Sequence, residues 1–294
     1  MGWFASILLG IVEGITEFLP VSSTGHLTIV EKLLGLSIDA ADVTAFTAII
    51  QVGAILAAIV YFWKDIVRLA VGWFRGLFNA KQRGTDYRLG WAVIVGSIPV
   101  GVIGFLLKNQ IETVLRSLWF VAGGLILWSI VMWVADRYSA RLAAAVPKRA
   151  AGAAESGLPR DESTLTVVDA LIIGCVQVFA LIPGVSRSGA TISAALLRGV
   201  DRTTATRWSF FLGIPALTAA GVFQAAQNYH AISTGVGWGP TAVALVVSFV
   251  VAFAAIAWLL RFVASNRFTV FIVYRILAGL AVIALLVFGV VQAV

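Results

Sequence analysis

The sequence predicts an all-α integral membrane protein with six transmembrane helices, two re-entrant helical hairpins and an inverted-topology repeat. Three observations predict this fold class. Of the 294 residues, 60% are hydrophobic and 12% are charged, whereas about 25% of the residues in a soluble domain are charged. Six stretches without Asp, Glu, Lys or Arg are long enough to cross a bilayer as a helix. Two further apolar regions are each interrupted by Gly, Pro and Ser.

The composition also excludes several classes of protein. A mean hydropathy of +0.98 argues against a soluble enzyme and against a disordered chain. Because the chain has one cysteine, Cys175, and two histidines, His26 and His230, we expect neither an intrachain disulfide nor a metal cluster built from these residues. The net charge of +7 is assigned to cytoplasmic loops that orient the protein in the membrane, and not to nucleic-acid binding.

The apolar stretches define the predicted elements. The six predicted spans are residues 43–63, 89–107, 118–135, 208–227, 240–260 and 276–294. Residues 2–36 and 167–199 are the interrupted regions, and their polar breaks are residues 20–25 and 183–189. Irregular backbone is tolerated at membrane depth where protein or a water-filled cavity covers it. We therefore predict that each region is a re-entrant hairpin, and the alternative is two kinked spanning helices.

Loop charges predict the orientation of the chain in the membrane. Lys and Arg outnumber Asp and Glu in residues 64–88, 136–166, 198–207 and 261–275, and Arg275 is counted among these loop charges. Loops rich in Lys and Arg lie on the cytoplasmic side. Both termini are therefore predicted to lie outside, with the first hairpin entering the membrane from outside and the second from inside.

The predicted topology divides the chain into two halves of opposite orientation. Residues 1–142 form the first repeat, residues 143–166 a flexible cytoplasmic linker, and residues 167–294 the second repeat. Positions 164 residues apart match, since residues 10–13 are Gly-Ile-Val-Glu and residues 174–177 are Gly-Cys-Val-Gln. Inverted repeats with broken helices place their site between the repeats, near the membrane midplane. The two polar breaks are therefore expected to meet there.

Two carboxylates stand in the first hairpin. Glu13 and Glu17 are four residues apart and share one helical face. A carboxylate at this depth is costly unless it faces a cavity or a partner, so the pair predicts a cation, a basic side chain or proton chemistry nearby. The alternative is a shallow helix with both carboxylates in water. Two uncharged polar residues at membrane depth, Gln51 and Gln177, are expected to form hydrogen bonds between helices.

The polar breaks contain the residue types of an anion site. Ser22 and Ser186 lie where helices are expected to begin, and a helix N-terminus binds phosphate through its free N–H groups. Capping of the helices is the alternative role for these serines. Arg187 adds a planar, permanently charged group that suits phosphate oxygens. Further hydroxyl groups in or near the breaks belong to Ser23, Ser188 and Thr191.

His26 directly follows the first break and is a candidate general acid, general base or nucleophile. Carboxylates, hydroxyls, a histidine and an arginine at membrane depth suit a phosphorylated ligand that has a lipid tail. Glu13 and Glu17 are expected to bind a divalent cation, Mg²⁺ or Ca²⁺, because both ions prefer oxygen ligands. Such a cation would bridge phosphate oxygens and offset developing charge.

Three motifs resemble those of the undecaprenyl-diphosphate phosphatases of bacteria, also called bacitracin-resistance proteins. Residues 13–17 are similar to the family's E-x-x-x-E, residues 20–26 to its P-x-S-S-x-G-H, and residues 183–191 to its P-G-x-S-R-S-x-x-T. Chain length, span order and inverted hairpins also agree with the family, so the resemblance covers nearly the whole chain. The predicted linker is long for the family, and it contains none of the motif residues.

The resemblance implies hydrolysis of undecaprenyl diphosphate to undecaprenyl phosphate and inorganic phosphate, which recycles the carrier lipid of the cell wall and confers bacitracin resistance. It also implies a divalent-cation requirement and a site open to the outer face of the bacterial plasma membrane. Glu13 and Glu17 would bind the cation or position water, and Arg187 would bind the diphosphate. Ser23 and His26 are the candidate nucleophile and acid/base, and Ser23 is favoured as the nucleophile. The supporting substrate-binding residues would be Ser22, Thr24, Gly25, Ser186, Ser188 and Thr191.

Three alternatives are weighed against this function. The acid-phosphatase-like lipid phosphatases also use P-S-G-H and S-R-x5-H motifs, but Ser193 stands where the second motif requires histidine. A transporter or lipid flippase would share the inverted repeats, because a fold does not fix a function. A structural scaffold leaves Glu13, Glu17 and Arg187 unexplained. The expected partners are the isoprenoid diphosphate lipid and the bilayer, and the sequence leaves a homo-oligomer open.

Overall fold

The computed structural model describes residues 1–38, 40–107, 110–111, 115, 117–149 and 159–293, which are mainly α-helical. Apart from an isolated parallel bridge between Arg160 and Val200, these residues contain no β-structure. The helices are α1 (Trp3–Thr16), α2 (Ser23–Leu33), α3 (Ala41–Tyr61), α4 (Trp63–Phe78), α5 (Thr85–Leu106), α6 (Leu118–Arg149), α7 (Val167–Gln177), α8 (Arg187–Leu197), α9 (Arg202–Thr234), α10 (Trp238–Ser265) and α11 (Thr269–Val287).

Several of these helices have the length and apolarity of membrane spans. Within the described part of the chain, five qualify: Ala41–Tyr61, Thr85–Leu106, Leu118–Ala144, Trp238–Ser265 and Thr269–Val287. Each overlaps one predicted span, so the prediction of an all-α protein with several helices of membrane-crossing length is confirmed. The sixth predicted span, residues 208–227, lies inside the longer helix α9 and is not among the five.

The two interrupted regions each contain two short helices with a break between them. Helices α1 and α2 flank the first break, and α7 and α8 flank the second, which is preceded by a 3₁₀ turn at Val178–Leu181. The residues before α2 and α8, Ser22 and Ser186, have positive φ angles of 76° and 75°. For a residue with a Cβ atom this conformation costs about 1–2 kcal/mol. Such strain is retained where the surrounding structure holds it, typically at functional sites.

The surrounding helices enclose both breaks. Helix α1 packs on α10, which also packs on α3, while α7 packs on α5 and α11 packs on α6. Beside the first break, the aromatic rings of Phe18, Phe62 and Phe210 are buried and in mutual contact, with centroid separations of 5.2 Å from Phe210 to each of the other two. The first break is therefore supported by rigid packing and not by exposed loop residues.

Helix α4 was not predicted, because the charges in residues 64–88 favoured a loop. Those within α4 (Lys64, Asp65, Arg68 and Arg75) occupy one side of an amphipathic helix, and another side exposes apolar residues that recur every three or four positions. These residues are Trp63, Val67, Val71, Phe74 and Phe78.

Arg275 was predicted as a cytoplasmic loop charge, and this prediction is wrong. Helix α11 begins at Thr269, six residues earlier, and the side chain of Arg275 is completely buried inside the protein. Because it does not lie in a loop, Arg275 contributes nothing to the loop-charge argument for orientation.

Part of the predicted linker, residues 143–166, lies within the described residues. Helix α6 continues to Arg149, and residues 150–158 lie outside the described residues. Farther along, the Arg160 guanidinium binds the buried carboxylate of Asp169 in α7, and Arg198 binds the same carboxylate at 2.9 Å. The end of this stretch is therefore attached to both helices of the second region, while the flexibility of residues 150–158 stays a prediction.

Candidate active site between the two breaks

A cavity of about 730 Å³ opens between the two breaks and helices α3, α5 and α9. One part of its wall is apolar and comes from α5 and α9, through residues such as Ile94, Ile98, Phe105 and Leu217. The polar part of its wall consists of Glu17, Ser22, Ser23, Thr24, Gln51, Ser97, Gln177, Ser186, Arg187 and Gln224. The cavity thus combines a charged region with an extended apolar region, as an amphiphilic ligand requires.

The two breaks bind each other directly. The backbone N–H of Gly184 donates to Ser22 Oγ at 3.1 Å, and the Ser188 hydroxyl donates to the carbonyl oxygen of Leu19 at 3.0 Å. Gly184 has a φ of +91°, and a Cβ atom there would collide with the carbonyl oxygen of Val121 in α6. Glycine is therefore required at this position both for its conformation and for its close approach to α6.

Arg275 binds both breaks at once. Its Nη1 donates to the carbonyl oxygen of Pro20 at 3.2 Å, and its Nη2 donates to that of Gly184 at 2.8 Å. Further bonds go from Nη2 to the Gly124 carbonyl at 3.1 Å and from Nε to Ser129 Oγ at 3.1 Å. Within the described residues, no carboxylate pairs with this guanidinium. Its role is therefore to satisfy backbone carbonyls that the breaks leave outside any helix.

The two carboxylates of the first region have different environments. Glu17 lines the cavity and accepts a hydrogen bond of 2.7 Å from the Ser23 hydroxyl. It also lies 3.6 Å from Arg187 Nη2, within ion-pair distance. Glu13 is fully buried and does not line the cavity, and both of its carboxylate oxygens lack a hydrogen-bond partner among the described residues.

Ser23 is the hydroxyl best placed for chemistry. It is the first residue of α2, lines the cavity and is partly exposed to it. Because its hydroxyl donates to Glu17, its oxygen lone pairs are available to an electrophile in the cavity, and the carboxylate is placed to receive the proton. This pair has the geometry of a nucleophile and its base.

Arg187 is the cation of the cavity wall. Its Nη1 donates to the Ser209 carbonyl at 2.8 Å, which fixes the guanidinium. Its Nε and Nη2 are buried and lack a hydrogen-bond partner among the described residues. A Cβ atom on Gly213 of α9 would collide with this guanidinium, so Gly213 provides the space that it occupies. Both atoms can therefore still donate hydrogen bonds to an anionic ligand, although Nη2 lies within ion-pair distance of Glu17.

His26 faces away from the cavity. Its Nδ1 lies 2.7 Å from the Ser22 carbonyl oxygen, and its Nε2 lies 2.7 Å from the Tyr274 hydroxyl. The imidazole ring also stacks on the ring of Tyr274. Since a carbonyl only accepts hydrogen bonds, Nδ1 carries a proton and Nε2 accepts from Tyr274. His26 does not line the cavity. This arrangement supports the backbone of Ser22 and favours Ser23 as the nucleophile.

The remaining predicted substrate-binding residues divide into two groups. Ser22, Thr24 and Ser186 line the cavity, although Ser186 Oγ also accepts from the Gly189 N–H as a helix cap. Outside the cavity lining lie Gly25, Ser188 and Thr191. The Thr191 hydroxyl bonds to Ser209 Oγ at 2.8 Å and therefore positions the segment that carries Arg187.

The structure contradicts the role predicted for Gln177. Its side chain is fully buried and lines the cavity, but neither Oε1 nor Nε2 has a hydrogen-bond partner among the described residues. It therefore forms no hydrogen bond to another helix within the described part of the chain. Sequence analysis also missed Arg275, Tyr274 and Gly213; of these, only Arg275 carried a signal, because it lies inside a long apolar stretch.

The two carboxylates of the first region are the candidate ligands of a divalent cation. No group of three or more His, Cys, Asp or Glu side chains with metal-binding geometry occurs in the part of the chain that was described. Glu13 nevertheless presents two buried oxygens without partners, one helical turn from Glu17. Mg²⁺ is commonly bound by one or two carboxylates together with water and phosphate oxygens. The residues present therefore fit a cation whose remaining ligands come from substrate and water.

Fold and site together define an α-helical membrane protein whose polar cavity is built between two broken helical segments. The family model described as Bacitracin resistance protein BacA matches residues 6–281, and the chain belongs to this family. The resemblance noted in the sequence motifs is thereby confirmed.

Curated relatives match the chain over its whole length. It is 56% identical over 301 residues to the undecaprenyl-diphosphatase of Cutibacterium acnes (strain DSM 16379 / KPA171202), with 100% of each chain covered. It is 54% identical over 294 residues to undecaprenyl-diphosphatase 3 of Frankia casuarinae, again with 100% of each chain covered. The undecaprenyl-diphosphatase of Acidothermus cellulolyticus is 50% identical over 295 residues, and coverage of both chains is complete.

Proposed function

We propose that this protein is a membrane phosphatase that hydrolyses undecaprenyl diphosphate to undecaprenyl phosphate and inorganic phosphate. It would thereby recycle the carrier lipid for cell-wall synthesis and confer bacitracin resistance. The observation that carries the proposal is Arg187, whose buried Nε and Nη2 have no hydrogen-bond partner among the described residues, in a cavity that is polar on one side and apolar on the other. The activity named for relatives that are 50–56% identical over the full chain supports the same function.

The arrangement of Ser23 and Glu17 supports a two-step reaction. The Ser23 oxygen attacks the terminal phosphorus, its proton passes to Glu17, and the anhydride P–O bond breaks to release undecaprenyl phosphate. Water then attacks the phosphoserine, and cleavage of its P–O bond releases inorganic phosphate and regenerates the hydroxyl. Arg187 holds the phosphate oxygens in both steps, where a fixed positive charge offsets the charge that develops on them.

Glu13 and Glu17 are the residues that would hold a divalent cation. When bound, the cation would neutralise phosphate charge and orient the diphosphate. The unpartnered oxygens of Glu13 support this role, because a buried carboxylate without a counter-ion is costly at membrane depth. Glu17 has a second role in this proposal, as the acceptor of the Ser23 proton.

The carboxylate pair predicts the response to cations. The double change Glu13→Gln and Glu17→Gln should lower the affinity for Mn²⁺, a spectroscopic substitute for Mg²⁺, by at least about tenfold, because hard cations prefer charged oxygen ligands. Mn²⁺ binding by electron paramagnetic resonance would measure this directly. Asp161→Asn removes an exposed carboxylate that does not line the cavity and should leave the affinity unchanged. Equal affinity in the double variant and the wild type would remove these residues from the cation site.

The fold is proposed to have six spans, two re-entrant hairpins and an inverted repeat divided at residues 1–142, 143–166 and 167–294. Ser22 and Ser186 support the repeat, since they are 164 residues apart and share a positive φ at the start of a helix. The hydrogen bonds between the two breaks support a common site. Both termini would lie outside, and the site would open to the outer face of the bacterial plasma membrane.

The direct test of function is phosphate release from undecaprenyl diphosphate by detergent-purified protein, with Mg²⁺ or Ca²⁺ added and with the chelator EDTA. We expect release that depends on the cation. Lipid binding without any phosphate release would overturn the phosphatase and favour the lipid-transport alternative.

Arg187→Ala should raise KM for the lipid diphosphate by about a hundredfold, because charge-assisted, desolvated contacts of this kind contribute several kcal/mol. Arg187→Lys should fall between this variant and the wild type, since lysine keeps the charge and loses the planar fork. Steady-state kinetics would measure both variants. Arg267→Ala, which removes an exposed arginine, serves as the control. An unchanged KM in Arg187→Ala would contradict the anion-binding role.

A further inference from the structure

Gln177 is the last residue of α7 and stands at the edge of the second break. Its side chain is fully buried, lines the same cavity as Ser23 and Arg187, and has no hydrogen-bond partner for either amide atom among the described residues. A buried amide without partners destabilises a protein, because its polar atoms lose their bonds to water and gain none in return. Such a cost is offset when the missing partner arrives with a ligand in the cavity.

Charge distinguishes the two sides of the cavity. Gln177 is the counterpart of Glu13 at the offset of 164 residues that relates Ser22 to Ser186. The first region therefore contributes carboxylates, and the second contributes an amide and the guanidinium of Arg187. A carboxylate at position 177 would repel a diphosphate, whereas an amide N–H donates to it without adding charge. The second side of the cavity is thus suited to hold anionic oxygens.

We propose that Gln177 is a further substrate-binding residue, which donates its Nε2–H to a phosphate oxygen of the lipid diphosphate beside Arg187. This inference rests on the proposed phosphatase function. It assigns the two sides of the cavity different tasks: the first region provides the nucleophile and its base, and the second holds the phosphate groups through Gln177 and Arg187.

The test is Gln177→Met, which keeps a side chain of similar length and removes the amide. KM for the lipid diphosphate and the inhibition constant of inorganic pyrophosphate should both rise about ten- to hundredfold, as expected for a hydrogen bond to a charged group. The value of kcat should stay within about twofold, because the contact is made before and during the reaction. The thermal midpoint should not fall, since the amide has no partner to lose.

Thr218→Val is the matched control. Thr218 Oγ1 is also buried without a partner among the described residues, but Thr218 does not line the cavity. Its replacement should leave KM and the pyrophosphate inhibition constant unchanged. If KM and the pyrophosphate inhibition constant also rise in Thr218→Val, then removing any buried polar atom without a partner disturbs the site. That result would overturn the proposed role of Gln177.

Two outcomes would overturn the role of Gln177. In the first, Gln177→Met has wild-type values for KM and for pyrophosphate inhibition. In the second, the thermal midpoint falls while both constants stay unchanged, which indicates an amide that holds helices together. If Gln177→Met does not fold, the isosteric Gln177→Glu replaces it as the test of the amide contact. Its KM should exceed the value expected for Gln177→Met, because it adds negative charge, and a wild-type KM would overturn the role of Gln177.

The same experiment separates this inference from the proposed function. If the wild type releases no phosphate, the phosphatase proposal fails, and direct pyrophosphate binding to the wild type and Gln177→Met still tests the amide contact. If the wild type is active and Gln177→Met equals it, only the inference fails.

Discussion

Replacing Ser23 with alanine should reduce phosphate release by at least about a thousandfold while lipid binding persists. The reason is that Ser23 is the cavity hydroxyl that donates to a carboxylate, at 2.7 Å from Glu17, and loss of a nucleophile removes an interaction made only in the reaction. Phosphate release and lipid binding, measured separately on the same preparation, would show whether turnover alone is lost.

The covalent intermediate distinguishes Ser23 from His26. With substrate that carries ³²P on its terminal phosphate, acid quenching should trap label on the protein, because phosphoserine survives acid and phosphohistidine does not. The label should be absent from Ser23→Ala and present in His26→Gln, since both ring nitrogens of His26 are engaged by Ser22 and Tyr274 outside the cavity. Substantial residual turnover in Ser23→Ala would exclude Ser23 as the nucleophile and move that role to His26 or to water.

The polar breaks could be recognised from sequence because polar residues are costly in a membrane. Glu17, Ser23 and Arg187 stand out against apolar neighbours, and the cavity brings all three together. The matching serines at positions 22 and 186 also indicated equivalent positions, and both adopt the same rare φ angle. The sequence does not give the orientation of each side chain. Glu13 and His26 were therefore predicted as residues of the same site as Glu17, Ser23 and Arg187, although neither lines the cavity.

The errors have a common physical origin. Predicted spans are stretches without charged residues, so an arginine inside a helix necessarily ends a predicted span and is assigned to a loop. Arg275 stands in the sequence Tyr-Arg-Ile, and apolar residues continue on both sides. Helix α4 was missed for the opposite reason, since its charges lie on one side of a helix and its apolar residues on the other. Gln177 was predicted to form a hydrogen bond to another helix, because the sequence does not show that its side chain lines a cavity, where its amide atoms have no partner among the described residues.

Arg275→Met should destabilise the protein by about 3 kcal/mol or more and lower phosphate release with it. The change leaves the carbonyls of Pro20 and Gly184, which lie outside any helix, without this donor in a buried site, and each unsatisfied group costs about 1–3 kcal/mol. It also removes the additional bond to the Gly124 carbonyl inside α6. Arg275→Lys should recover little, because a single ammonium group cannot reach the carbonyls that the planar guanidinium spans. The thermal midpoint in detergent would measure the loss.

Arg267→Met is the control for this prediction, since Arg267 was assigned to the same predicted loop but is exposed. It should leave the thermal midpoint unchanged. Because Arg275 holds the carbonyls of both breaks, its loss should separate them, and the Gly184 N–H bond to Ser22 Oγ should loosen with it. Phosphate release should therefore fall in the fraction of Arg275→Met that remains folded. A variant with wild-type midpoint and turnover would show that the two breaks are held together without this arginine.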